Sequence, residues 1–362
     1  MATRNNDFKR TYFMGYSTPN GFTTHLRDDI ESGEFTTYII KGGPGTGKSS
    51  LMKKIASEIS ELDEPEIYYC SSDPNSLDAV LFDNLKVIIA DGTAPHVIEP
   101  TYPGAREVLV DLGECWDLSS LASDKDSIID STNRNHKYHL LAKKYLSAII
   151  SVNEDIMSIG DCALDSSKLD SYCERLSSKL FPKKKSPDTQ GKIRFRQMTA
   201  FTPEAVITLA NNFDKLKVYK VDDECFAVTD NLLKKLAEYA CNNSYDVIIS
   251  KNVFISGSVY QHLIIPEIET AFVSSVSNEI TNTTKINAMR FYDRDILKDK
   301  HKRLMFDEGI VKELTDEMVS ALKTAKGIHD ELESYYIKAM DFDKVNEISQ
   351  RLMERIKSCS DT

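Results

Sequence analysis

The chain of 362 residues has no apolar run near the ~18–20 residues that a membrane-crossing helix requires, so no membrane partner is expected. Met1 to Arg10 is polar, lacks the apolar core of a signal peptide, and reads as a loose arm. The seven cysteines (Cys70, Cys115, Cys162, Cys173, Cys225, Cys241, Cys359) are odd in number and scattered, with no CxxC pair. That pattern speaks against a disulfide framework or a thiolate zinc site and suits reduced thiols in a cytoplasmic protein. Positive charge is in deficit: 45 Lys and Arg stand against 56 Asp and Glu, a net charge of −11, which argues against nucleic acid as a standing partner. The short run Lys183 to Lys185 reads as a solvated linker. Tryptophan occurs once, at Trp116, where packing between a sheet and helices is expected. The remaining composition, 41% hydrophobic and 28% charged, is that of a globular chain long enough for two domains or one large one.

What the chain does have is the stretch Gly42-Gly43-Pro44-Gly45-Thr46-Gly47-Lys48-Ser49, which fits G-x-x-x-x-G-K-[ST], the phosphate-binding loop of P-loop NTPases. Its surroundings fit as well. Thr37 to Ile40 reads as a buried strand, and Ser50 onward reads as a helix with Leu51, Ile55 and Ile59 at helical spacing. The chemistry explains the residue types. Backbone N–H groups must point at phosphate oxygens, and side chains would block that approach, hence the four glycines. A helix N-terminus adds partial positive charge and unpaired donors. Residues Gly42 to Ser50 are therefore the expected nucleotide cradle. Lys48 is expected to reach the β- and γ-phosphates, and Ser49 to ligate Mg²⁺. ATP and Mg²⁺ are the expected cofactors. No N-K-x-D guanine motif stands in a suitable place, which favours ATP over GTP.

Glu66 to Cys70 reads as a second strand ending in the polar turn Ser71 to Ser76, Leu77 to Phe82 as a short helix or an extended piece, and Lys86 to Asp91 as a third strand. Alternating strands and helices of this kind imply an α/β fold with a mainly parallel sheet, whose ligands sit at the carboxyl ends of the strands. Asp73 and Asp91 both fall at such ends. Asp91 is the expected Mg²⁺-holding acid. It is followed by Gly92 rather than a glutamate that would orient water, so a hydrolytic base must come from elsewhere. Asp73, His96 and Glu99 are the candidates. His96 reads as a base or phosphate sensor, or as a loop-holding histidine. Asp73 reads as an acid near the γ-phosphate, or as the cap of the Pro74-Asn75 turn. Arg27 and Arg106 read as charge-neutralising arginines or as surface ion pairs. Two antiparallel helices, 131–156 and 166–180, are expected to follow.

The sequence also repeats itself. Met52-Lys53-Lys54-Ile55-Ala56 resembles Leu233-Lys234-Lys235-Leu236-Ala237, and Ala163 to Leu169 resembles Ala339 to Val345; three further matches keep the same order and nearly the same offset. Two tandem P-loop NTPase-like units are expected, each followed by a helical pair: a P-loop domain over 1–181, a linker over 182–191, and a degenerate copy over 192–362. In that copy the loop maps to Asp223 to Asp230, with no glycine, Thr229 at the lysine position and two acids, Asp222 and Asp223, that would repel phosphate. The Asp91 equivalent falls near Ser274. One phosphate site per chain is expected, with the second half structural or regulatory.

The segments KGGPGTGKSS, CSSDPNSLD and DGTAPHVIEPTYPGA together resemble a family of bacterial tandem P-loop ATPases found mainly in Firmicutes. The resemblance covers most of the chain, and DGTAPH is its most specific part. It implies ATP binding and hydrolysis but no physiological substrate. That family usually keeps both loops intact; here Asn252 to Tyr260 replaces the second turn and no TAPH follows. Two alternatives stand beside the ATPase. One is a small-molecule or nucleotide kinase with an unknown acceptor, since Asp91-Gly92-Thr93-Ala94-Pro95 loosely resembles the turn of adenylate-kinase-like enzymes. The other is a nucleotide-sensing protein that binds a protein partner and turns over little.

Overall fold

A computed structural model describes residues 10–181, 189–274 and 283–358. Residues 1–9 of the N-terminal arm, residues 182–188 of the linker with Lys183 to Lys185, and Cys359 lie outside the described residues. In chain order the first half runs β1 (Thr11–Phe13), β2 (Tyr16–Thr18), β3 (Gly21–Thr23), α1 (Leu26–Ser32), β4 (Thr36–Lys41), α2 (Lys48–Ile59), β5 (Glu66–Tyr69), β6 (Leu77–Phe82), β7 (Val87–Asp91), β8 (Glu107–Asp111), α3 (Leu118–Ser123), α4 (Lys125–Ala163) and α5 (Ser166–Leu180). The second half follows as β9 (Ile193–Phe195), β10 (Thr199–Phe201), β11 (Val206–Thr208), β12 (Lys217–Asp222), α6 (Ala227–Asn242), β13 (Val247–Lys251), β14 (Tyr260–Ile265), β15 (Thr270–Ser274), β16 (Thr284–Asn287), α7 (Arg294–Lys338) and α8 (Phe342–Ser358).

The fold is α/β, with two six-stranded sheets built to one plan. The first has the order β1-β5-β6-β7-β4-β8, and the second β16-β12-β15-β14-β13-β9, which is the same order read from the other edge. Both sheets are mixed and mostly parallel. β4 pairs parallel with β7 and β8, and β1 with β5, while β6 runs antiparallel to both neighbours. In the second sheet β14 is reversed in the same way. The physical reason is connection length. The Cys70–Ser76 turn and the turn over 83–86 are too short for a crossover, and short turns join antiparallel strands. The stretch Leu77 to Phe82 is therefore a strand, and all six of its residues are buried. β4 sits inside the sheet with Thr37 to Ile40 buried, as a strand covered on both faces must be.

Contacts divide the chain into two units. The first comprises 10–144, 200–206 and 317–358; the second comprises 145–199 and 207–316. In the first unit, α2 lays Leu51, Met52, Ile55 and Ile59 on the sheet, and α8 closes the same core with Leu352, Met353 and Ile356. In the second, α6 packs through Leu232, Leu233 and Leu236, and α5 closes the core with Leu169, Cys173 and Leu176. The division differs from the expected 1–181, 182–191, 192–362. The α5 end of the first helical pair belongs to the second sheet's core, and α8 belongs to the first.

Backbone hydrogen bonds fix both arrangements in the same way. Asp117 N donates to Ala339 O at 2.7 Å and Asp341 N to Cys115 O at 2.9 Å in the first unit. Asp293 N donates to Ala163 O at 2.7 Å and Asp165 N to Phe291 O at 2.8 Å in the second. The helices α4 and α7, with 39 and 45 residues, make this reach possible, since each residue advances a helix by about 1.5 Å. No described helix is long and apolar enough to cross a membrane.

Candidate phosphate-binding site

The loop after β4 turns at Gly45 and Gly47, whose φ values of +69° and +86° lie where L side chains rarely go, and delivers Lys48 as the first residue of α2. Side chains would not fit beside it. A Cβ on Gly45 would stand 2.9 Å from the Glu333 carbonyl oxygen, and one on Gly42 would stand 2.8 Å from Thr46 Oγ1. Thr46 is buried and donates to Gly43 O at 2.9 Å, which ties the loop across itself. Pro44 lies within the loop and Ser50, on the first turn of α2, is exposed. The Lys48 ammonium donates to the carbonyls of Gly42 (2.9 Å) and Gly43 (2.7 Å) and lies 3.5 Å from Asp91 Oδ2. Beside Gly43 the indole Nε1 of Trp116 is buried with no hydrogen-bond partner among the described residues. A glycine cradle at a helix N-terminus with a lysine above it suits a phosphate chain.

Register brings Asp91 to this place. Parallel pairing sets Ile40 opposite Asp91 at the ends of β4 and β7, one residue before the loop approach. Asp91 Oδ1 accepts from Thr93 N at 2.8 Å and Thr93 Oγ1 at 2.6 Å, which leaves Oδ2 toward Lys48. Ser49 Oγ accepts from Leu77 N at 2.9 Å, tying the start of α2 to the polar turn that holds Asp73. Mg²⁺ in nucleotide sites takes one or two protein ligands and fills its octahedron with phosphates and water. The Asp91 carboxylate and the Ser49 hydroxyl are donors of the right kind.

The three candidate bases all have partners. Asp73 accepts from Ser76 Oγ at 2.9 Å and from Asn75 N at 3.3 Å, and pairs with Lys326 Nζ at 3.3 Å. Burial would raise its carboxyl, but Ser76 and Lys326 hold it below its ordinary value, which makes it a weaker proton acceptor. His96 is buried with Nδ1 3.1 Å from Asp91 O and Nε2 3.1 Å from Asp78 Oδ2. Burial pushes this histidine down, yet the Asp78 hydrogen bond and charge, with Asp91, leave it raised overall. A carboxylate faces one ring nitrogen and a carbonyl the other, an arrangement that favours the protonated ring, and the two contacts tie His96 to β6 and to the end of β7. Glu99 pairs with Lys41 Nζ at 2.6 Å, and the same ammonium donates to Gly92 O and Ile98 O. Arg106 precedes Glu107, which pairs with Thr37 at the far end of β4 from the loop; it donates to Glu107 Oε1 at 2.6 Å. With Arg27 it lines a cleft of about 270 Å³ whose lining includes none of Gly42 to Ser50.

Sequence reasoning missed Asp78, Lys326 and Glu333. Asp78 had a signal: an acid inside the otherwise apolar strand Leu77 to Phe82 is costly to bury unless paired. The other two had none, because they approach the loop from α7.

The corresponding turn of the second unit is built differently. Ser274 pairs with Val221, the register position that Asp91 holds opposite Ile40, and carries no charge. Phe226 keeps a left-handed φ of +63° where Gly45 has +69°. The Asp223 carboxylate takes the donors of this loop for itself, accepting from Thr229 N (2.8 Å), Thr229 Oγ1 (2.9 Å) and Cys225 N (3.1 Å), and from Tyr292 OH (2.7 Å). A buried side chain of the loop thus takes up these donors. Comparison of the chain with family models, with curated proteins and with solved structures returned no match.

Proposed function

We propose that the protein binds MgATP through Gly42 to Ser50 of the first unit and hydrolyses it slowly, with Lys48 on the β- and γ-phosphates and Ser49 and Asp91 on Mg²⁺. The observation that carries this reading is the combination of left-handed glycines, Lys48 at the start of α2 and Asp91 Oδ2 3.5 Å from its ammonium. The second unit is a copy without a phosphate site, because Asp223 occupies its loop donors. Six free cysteines among the described residues suit the reducing cytoplasm.

The partnered state of Asp73, His96 and Glu99 favours a second reading, a nucleotide-sensing protein with little turnover that signals to a protein partner. A kinase reading is separated from both by its need for an acceptor. The test is titration of MgATP and MgGTP by calorimetry, followed by ADP release with and without candidate acceptors. Lys48→Ala is expected to abolish nucleotide binding, and Asp91→Ala to remove its Mg²⁺ dependence. Unchanged affinity in Lys48→Ala would sink the proposal. Tight binding with negligible turnover would favour the sensor, and ADP release only with an acceptor the kinase.

A further inference from the structure

Helix α7 lays one stripe across the mouth of the phosphate loop. Lys326, Asp330, Glu333 and Ile337 recur at helical spacing, so they share a face. Lys326 pairs with Asp330 and, at 3.3 Å, with Asp73 on the turn beside Ser49. Seven residues on, the Glu333 carbonyl and the Ile337 side chain approach Gly45 so closely that a Cβ there would meet each at 2.9 Å. Tyr336 lies against Gly43, its ring 5.6 Å from that of Trp116. The Glu333 carboxyl is held below its ordinary value, first by His329 Nε2 at 3.6 Å and then by Lys326 and the Gly45 N–H, against the opposing pull of burial.

The loop amides suit an anion, and α7 sets Glu333 beside Gly45, its backbone within van der Waals reach and its carboxyl lowered in part by the Gly45 N–H. The second unit offers a comparison within the chain. There Asp223 takes the loop donors, and being part of the loop it cannot leave them. Glu333 instead comes from a separate element, α7. We propose that the α7 stripe is a gate on the phosphate loop, in which Glu333 competes with nucleotide phosphate for the Gly45 amide and binding turns the stripe away from the loop. The proposal rests on the nucleotide reading of that loop. It makes Glu333 a regulatory residue of the site, and Trp116 a built-in reporter, since it is the only tryptophan and packs on Tyr336 and Gly43.

The experiment uses the full chain and two readouts, calorimetric affinity for MgATP and Trp116 emission. Glu333→Gln keeps the shape and removes the charge. It is expected to tighten MgATP binding roughly three- to tenfold, the scale of one partly screened charge-assisted hydrogen bond. Glu333→Ala is expected to move affinity in the same direction. Saturating MgATP is expected to change Trp116 emission in the wild type, a readout that needs no variant to fold. Equal or weaker affinity in both variants, with Lys48→Ala still abolishing binding, overturns the gate and leaves the loop reading intact. Unchanged Trp116 emission at saturation also overturns it. Absence of binding in wild type and Glu333→Gln alike overturns gate and loop reading together.

Discussion

The buried pair of His96 and Asp78 ties the first unit's stability to pH. His96 is raised above its ordinary value of 6.5 because Asp78 and Asp91 outweigh the burial that would lower it. A group whose folded value lies above its unfolded value stabilises fully below the unfolded value, and that contribution is lost as pH rises through the folded one. The melting temperature of wild type relative to His96→Gln is therefore expected to be highest at about pH 6 and to shrink by about pH 9, on either side of the ordinary histidine range. A gap that widened with pH would contradict the pairing. At this scale the loop was legible because Gly45, Gly47 and Lys48 act through their own backbone and neighbours. Asp78 was half-legible as an acid in an apolar strand, whereas its partner His96 lies beyond an intervening strand.

Elements were legible where their own periodicity declares them. α2 buries Leu51, Ile55 and Ile59, the helical spacing visible in the sequence. β6 was ambiguous because a fully buried strand has no alternation, and its reversed direction follows from its two short turns. α8 carries the sharper consequence. Leu352 and Ile356 are buried in the core of the phosphate-loop unit, next to residues of α2. Leu352→Ala is expected to cost about 2–5 kcal/mol of stability, the range for a buried leucine that leaves a cavity. The loss should appear in the unit proposed to bind nucleotide: melting in the presence of MgATP is expected to start from a lower temperature in this variant. Melting of the nucleotide-bound protein that is unaffected by Leu352→Ala would place α8 elsewhere.

For the whole molecule, each unit needs chain from both halves of the sequence. α8 completes the first core and α5 the second. Cutting the chain in the 182–191 segment separates each sheet from the helix that closes it. Residues 1–181 and 189–362 expressed apart are expected to lack cooperative melting, and expressed together they are expected to copurify and recover it. A cooperatively folded 1–181 fragment with full nucleotide affinity would refute this interdependence. Domain boundaries drawn along the sequence at the linker miss it, because composition marks where a chain bends and not which core it returns to.

The residue order was enough to read the α/β class with its two matching units, the strand–glycine loop–helix turn that starts α2 at Lys48, and the place of Asp91 at the end of a neighbouring strand. Each rests on short-range causes: glycine's freedom at positive φ, periodic burial, and charge beside a helix start. Three things came from the tertiary arrangement. The helical pairs close each other's sheets, the candidate bases Asp73, His96 and Glu99 are already paired, and α7 lies over Gly43 and Gly45. Each is a contact between residues far apart in the chain, set by how two long helices carry their ends across, and no local spacing encodes it.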